Sequence, residues 1–243
     1  MRAILPPDDE ARLVRQYFGG ATGYFVEVGA NDPKQWSQTF HLEERGWTGV
    51  LVEPQPALAE KLRQQRSAKV YALACSAPAN SGRSMTLSLA GIHSSLDPEF
   101  FVFKVRSDSA IEIPIKTLDE ILIDAKAPAP IDFVSIDVEN HEIEVLDGFD
   151  LARWRPKLLL MEDLVLNLSL HRYLQARGYK WMRRTGINSW YVPAAAPTAV
   201  SLVGKLQFFR KYFLGVPFRN LREALRRIRS RHAKRKGCSN SAA

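Results

Sequence analysis

The residues best suited to chemistry in this chain sit where apolar runs give way to acids. FVEVGAND, Phe25 to Asp32, is an apolar strand closing on an acid, a glycine and two small polar residues. A second apolar run, VLVEP, stops at Glu53, 24 residues after Gly29. In open parallel sheets, ligands bind at the carboxyl ends of the strands, where strand order reverses. Gly29 has no side chain to hold a ligand off the backbone. An acid ending the next strand can accept two hydrogen bonds from a ribose diol. The pair predicts an adenosine-binding pocket made of Glu27, Gly29, Ala30, Asn31, Asp32, Glu53 and Pro54. Ser76, after the third strand, is placed to reach adenine.

Which adenosine is a question of charge. A nicotinamide or flavin site wants G-x-G-x-x-G, with a helix N-terminus under the pyrophosphate. Here Gly29 is followed by Ala30, Asn31, Asp32 and Pro33, and Glu27 and Asp32 add negative charge. S-adenosylmethionine has no phosphate and carries a sulfonium and an ammonium, so acids near the first turn suit it. Asn31 and Asp32 are also good helix-capping residues, a role compatible with ligand contact.

A third segment, PIDFVSIDVENHEIEVLDGFD from Pro130 to Asp150, reads as a buried strand, an acidic turn and a helix with Ile143, Val145, Leu146 and Phe149 inward. Asp137, Glu139 and Glu142 cluster at the strand's end, with His141 among them. Together with VLVEPQP and the later strand KLLLMED ending at Glu162, this order of motifs resembles the FkbM-type methyltransferases, over roughly Asp8 to Pro193. The resemblance implies an S-adenosylmethionine-dependent enzyme of the α/β class. Its fold would be the Rossmann-like class I methyltransferase fold, a mostly parallel seven-stranded sheet with helices on both faces. One departure stands out: Asn140 occupies a place where the family has a small residue, usually glycine, and asparagine tolerates left-handed backbone angles.

The elements that must position these residues follow from alternation of strand and helix, which implies parallel pairing with right-handed crossovers. We expect a helix over 8–18, strands over 24–28 and 49–52, and a crossover helix over 35–45 with Trp36, Phe40 and Leu42 inward. A helix over 57–65 leads to a third strand over 70–74. Short strands over 85–89, 100–105 and 111–115 lie over the cleft. A helix over 118–125, strands over 131–136 and 157–161 and a helix over 166–177 come next. An antiparallel pair, 179–183 and 190–193, closes the sheet.

The net charge of +8 divides unevenly. Residues 196–243 hold 12 Lys or Arg and one acid, Glu223, whereas 1–195 carry a net −3. This suggests a methyltransferase domain over 1–195 and a basic helical tail over 196–243. In the tail, Leu202, Val203, Leu206, Phe209 and Phe213 share one helical side, and Phe218, Leu221, Leu225 and Ile228 continue the stripe. Basic amphipathic helices lie on anionic membrane surfaces; a protein contact and a nucleic-acid arm are the alternatives. Cys75 and Cys238 lie far apart and form neither a disulfide framework nor a zinc pattern. With no visible N-terminal signal, a cytoplasmic protein, peripheral on the inner membrane face, is expected.

Methyl transfer from a sulfonium is an in-line displacement, in which alignment matters most, and a hydroxyl acceptor gains from a general base. Asp137, Glu139 and His141 are the candidates, Asp137 also contacting the cofactor; Glu142, Glu162 and Asn188 are further cleft residues. A hard cation on Asp137 and its neighbours is chemically open, but the spacing does not demand one and no metal ligand is assigned. The resemblance implies O-methylation of a sugar, glycan or glycolipid. A catalytically degenerate scaffold and an RNA methyltransferase using the basic tail are the alternatives.

Overall fold

The computed structural model describes residues 7–89, 94, 96, 109–163, 167–218 and 221. Its strands are β1 (Tyr24–Val28), β2 (Thr48–Val52), β3 (Lys69–Tyr71), β4 (Ala74–Cys75), β5 (Ser84–Leu89), β6 (Ser109–Lys116), β7 (Phe133–Ile136), β8 (Leu158–Glu162), β9 (Tyr179–Thr185) and β10 (Asn188–Pro193). The helices are α1 (Pro7–Phe18), α2 (Phe40–Glu43), α3 (Pro56–Gln65), α4 (Leu118–Asp124), α5 (Glu142–Asp147), α6 (Leu151–Trp154), α7 (Ser169–Ala176) and α8 (Leu202–Phe208). A π-helical turn, Phe209–Gly215, continues α8.

Seven strands form one sheet in the order β3-β2-β1-β7-β8-β10-β9. β1 pairs in parallel with β2 and β7, and β7 with β8; β10 runs antiparallel to both β8 and β9. Order reverses between β1 and β7, so a crevice opens at their carboxyl ends. This is the Rossmann-like class I methyltransferase arrangement. The near-continuous apolar runs of β1, β2, β7 and β8 follow from burial on both faces. On one face Val26, Val28, Val134, Ile136 and Leu159 pack against α4, α5 and α6 through Leu118, Ile121, Val145, Leu146 and Trp154. On the other, Phe25, Leu51, Phe133 and Leu158 meet Val14 of α1, Leu42 of α2 and Leu62 of α3.

Two expectations change. The third strand is divided: β3 stays in the main sheet, while β4 joins β6 and β5 in a separate three-stranded sheet. The run at 100–105 and the tail stripe beyond Leu221 lie outside the described residues. The crossover helix shrinks to α2, and Trp36 is 59% exposed with φ +68°.

The reason for that loss is local. Buried Glu27 accepts hydrogen bonds from Ser37 Oγ (3.0 Å), Gln38 N (2.7 Å) and Thr39 Oγ1. Asp32 accepts from the N–H groups of Lys34 (3.0 Å) and Gln35 (2.9 Å). These acceptors fold residues 34–39 around Glu27 and Asp32, and the left-handed Trp36 breaks any helical path there. Arg66, buried at the end of α3, clamps the loop: Nε pairs with Glu43 (2.6 Å), Nη1 donates to Pro33 O (3.0 Å) and Nη2 to Thr39 Oγ1 (2.9 Å). Breaking a buried ion pair from one side leaves an uncompensated charge and costs about 3–5 kcal/mol. Arg66→Met is therefore expected to lower unfolding free energy by about that amount in urea titration; a loss below about 1 kcal/mol, the scale of a surface pair, would show that the clamp contributes little.

Candidate active site

The crevice is built from the carboxyl ends of four strands. After β1 the chain turns at Gly29 (φ +84°), where an added Cβ would sit 1.8 Å from the carbonyl oxygen of Asp137. Glycine is required here because β1 and β7 come too close for any side chain, a tighter constraint than ligand access. The N–H groups of Gly29 (2.9 Å) and Ala30 (3.1 Å) both donate to Val52 O, and that of Asn31 (φ +50°) donates to Glu53 Oε2 (2.8 Å). A phosphate cradle would need those donors free. They are already engaged.

Glu53 ends β2 and is 2% exposed. Its other oxygen accepts from Gln55 N (2.9 Å), so each oxygen has one backbone donor and a lone pair to spare. Burial pushes its carboxyl above the ordinary carboxylate range, against the two backbone N–H bonds, and the charge of Glu27 adds to the rise. Pro54, half-buried, carries the chain toward α3. A ribose diol offers the donors that such a carboxylate lacks.

Three other cofactor candidates have structural partners. Glu27 directs its carboxylate to residues 37–39, and burial raises its pKa against the charge of Arg66 and those hydrogen bonds. Ala30 packs its methyl in the core. Asp32 pairs with Lys61 (2.6 Å) at the surface, and that ammonium with the N–H groups of Lys34 and Gln35 holds its carboxyl at about 2.

At the neighbouring strand end, Asp137 follows β7, its N–H bonded to Val28 O (3.0 Å). Glu139 (φ +55°) and Asn140 (φ +75°) take left-handed backbone angles, so two consecutive non-glycine residues make the turn. Buried Glu139 and Glu162 and the half-buried Asp137 bring carboxylate oxygens within 4.8 Å of one another. Glu142 opens α5 beneath them; burial and the charge of Asp137 push it up to about 8, opposed by backbone N–H groups including those of Val138 and Asn140. Glu162 is raised well above the carboxylate range, first by burial and then by Asp137, Glu139 and Glu142.

His141 and Ser76 prove to be partners. Both are buried, with His141 Nε2 2.9 Å from Ser76 Oγ, which also accepts from Asn80 Nδ2 (2.9 Å). His141 Nδ1 lies 3.8 Å from Glu144. The pair ties the start of α5 to the end of β4, and Nε2 is occupied whichever nitrogen carries the proton. Asn188 donates to Glu10 of α1 (2.8 Å), an anchoring role far from the carboxylates in kind. Asp163 was not singled out by sequence: it accepts from Ser189 Oγ (3.1 Å) and Tyr212 Oη and pairs with Arg184 (3.7 Å). Its place directly after Glu162, at a strand end, was the available signal.

The family model described as the methyltransferase FkbM domain matches residues 27–181, from Glu27 through every strand end of the crevice. The chain belongs to the FkbM methyltransferase family. S-Adenosylmethionine-type methyl transfer is the chemistry of that class, and an acidic crevice whose first-turn N–H groups are already engaged fits such a cofactor. No curated protein matches the sequence. Among solved structures, an FkbM methyltransferase from Methylobacillus flagellatus KT is similar at 14% identity and TM-score 0.45, over 70% of this chain and 43% of that one. The chain thus spans less than half of that relative's length. An O-methyltransferase from Bacillus cereus, in complex with SAH, shows 11% identity over 79% and 82% of the two chains (TM-score 0.42). A precorrin-6y C5,15-methyltransferase from Geobacter metallireducens GS-15 shows 10% over 79% and 90% (TM-score 0.42). The FkbM match ends at Trp181, within β9, so β10, α8 and the tail lie outside it.

The raised carboxyl of Glu53 has a pH signature. The folded protein keeps this proton above pH 4.5, where the unfolded chain releases it, so wild-type stability falls as pH rises through that window. Gln cannot titrate. Glu53→Gln is expected to lose stability overall, since its amide faces two backbone donors, yet the deficit should shrink as pH rises above about 4.5. Parallel urea titrations from pH 4 to 8 read this difference; a constant deficit would mean that Glu53 titrates normally.

Proposed function

We propose that this FkbM methyltransferase transfers the methyl group of S-adenosylmethionine to a hydroxyl of a sugar, glycan or glycolipid. The observation that carries the reading is the division of the crevice into two acidic halves. Around Glu53 the backbone donors are engaged and one buried carboxylate has lone pairs for a ribose diol. Around Asp137, Glu139 and Glu162, carboxylates gather where an acceptor would approach. When bound, the cofactor supplies an electrophilic methyl on a sulfonium.

The chain's own residues do the rest. Glu53 fixes the adenosine end, and the acidic rim favours the cationic end. These residues would align an acceptor hydroxyl with the methyl group that the bound cofactor would supply. The hydroxyl proton passes to a carboxylate of the Asp137–Glu139–Glu162 group. His141, with Nε2 held by Ser76, positions the turn and is not the base. Carboxylates also accept hydrogen bonds from neighbouring sugar hydroxyls. They disfavour a phosphodiester chain, which argues against RNA as acceptor; a nucleic-acid cleft should be positive.

The tail supports a membrane setting. Gly204, Phe208 and Tyr212 face the sheet: a Cβ on Gly204 would lie 3.0 Å from Met182 O, Phe208 packs on Trp181, and Tyr212 reaches Asp163. Leu202, Val203, Leu206, Phe209, Phe213 and Leu214, by contrast, are 53–74% exposed, with Lys205 and Arg210 exposed among them. An apolar face of that extent beside a net charge of +11 over 196–243 matches an anionic lipid surface. No helix among the described residues is long and apolar enough to cross a membrane. A lipid-linked sugar is the acceptor this setting favours.

Calorimetry on the full chain is expected to give binding of S-adenosylmethionine, weakened at least about tenfold by Glu53→Ala, the scale of one or two hydrogen bonds to a charged group. Labelled methyl transfer to a polyprenyl-linked sugar, but not to tRNA, supports the acceptor assignment; transfer to tRNA alone overturns it. In flotation, wild type should rise with phosphatidylglycerol vesicles, and the Phe209→Ser/Phe213→Ser variant should stay below. Wild type that fails to float removes the membrane from the reading.

A further inference from the structure

We infer that Asp137, Glu139 and Glu162 form a binding site for one hard divalent cation of the magnesium or manganese type. Each offers one carboxylate oxygen, and all three oxygens lie within 4.8 Å of one another. Oxygens about 2.0–2.6 Å from a shared hard cation stand about 3–5 Å apart, so no strand needs to move for the three to share one ion. They arrive from two adjacent parallel strands, β7 and β8, whose pairing fixes Ile136 opposite Met161. The ligands therefore project from the same sheet end.

An independent observation singles out Glu162. The residue is 4% exposed, and its Oε2 has no hydrogen-bond partner among the described residues. A buried acceptor left unsatisfied costs about 1–3 kcal/mol, more when charged. The strongest charges acting on Glu162 are other carboxylates, those of Asp137, Glu139 and Glu142. Such a group needs a proton, an ammonium or a metal ion. Among these, a cation between the three oxygens serves them all at once, and oxygen-only donors suit hard ions.

The consequence for catalysis rests on the hydroxyl-acceptor reading. A cation held by three carboxylates keeps open positions for the acceptor oxygen and lowers the pKa of a hydroxyl bound there. Glu139, on its left-handed turn, then serves as a ligand through one oxygen, and the hydroxyl proton still passes to a carboxylate of the same group through an oxygen not on the ion.

Binding is measurable without turnover, which separates this proposal from the function above. Full-length protein is stripped with EDTA and titrated with Mn²⁺, the loss of the free-ion paramagnetic resonance signal being read alongside Mg²⁺ calorimetry. The expected result is one Mn²⁺ per chain, displaced by Mg²⁺. Glu162→Gln and Asp137→Asn should weaken it at least about tenfold, and the surface change Glu60→Gln should leave it intact. Circular dichroism melts show that each variant is folded; should Asp137→Asn fail to fold, Glu162→Gln decides alone. Absence of binding by folded wild type, or binding unchanged in Glu162→Gln, overturns the proposal in favour of a shared proton. Competition between Mn²⁺ and S-adenosylmethionine overturns it too, placing the cofactor's ammonium among the carboxylates. Absence of metal binding by a wild type that still binds S-adenosylmethionine refutes only the cation site.

Discussion

A carboxylate carried into a protein interior must find donors, a proton or a cation, because an isolated buried charge is prohibitively costly. This chain places carboxylates in or just after four strands of one parallel sheet, and its crevice is the set of answers it finds. Glu27 is answered by donors: Ser37, Gln38 and Thr39 wrap around it, and Arg66 closes the ring. Glu53 is answered in part, by one backbone N–H on each oxygen. The group around Glu162 is answered least, since its nearest strong charges share its sign. The gradient from satisfied to unsatisfied runs from Glu27 through Glu53 to the group around Glu162.

The same logic connects the core to the tail. Asp163 follows Glu162 directly, yet it lies in a different environment: Ser189, Tyr212 and Arg184 all reach it. Tyr212 belongs to the π-helical turn that continues α8. One residue step at the end of β8 therefore separates a carboxylate turned to the crevice from one that moors the tail. Phe208 sits in the aromatic group of His171, Trp181 and Tyr212, so the inward side of α8 is set by three residues at helical spacing. The larger apolar residues are left facing out. Whatever covers them is held close to the acceptor end of the sheet.

Much of this was legible from residues alone, because two-sided burial writes continuous apolar runs into a sequence. β1, β7, β8 and the closing antiparallel pair were readable within a residue or two, as were the acids that end them. The misreadings share a cause. The helix expected over 35–45 has the right apolar spacing, but residues 34–39 are folded around two acids, Glu27 and Asp32, with Trp36 left-handed, and no periodicity reports that. The stripe Leu202–Phe213 was read correctly as a face, yet its inward counterpart, Gly204, Phe208 and Tyr212, is less hydrophobic by composition. A glycine and a tyrosine face the sheet because Met182 O approaches closely and Asp163 accepts a hydrogen bond. Likewise, Ser76 and His141, 65 residues apart, were each legible as candidates but not as partners.

The turn after β7 shows why the departure from glycine matters. A glycine at position 140 would take a left-handed angle without strain; Asn140 takes φ +75° and Glu139 φ +55°. Both N–H groups that follow Asp137 and Glu139, those of Val138 (3.4 Å) and Asn140 (3.2 Å), point at Glu142 Oε1. Glu142 thereby holds the turn closed, one of its oxygens being engaged by these N–H groups. With Asn140 exposed and Glu139 buried, the two left-handed residues send one polar side chain to solvent and the other into the crevice. Restoring glycine at 140 would ease the backbone but loosen the angle that aims Glu139. The asparagine is better understood as a constraint on that carboxylate than as a tolerated substitution.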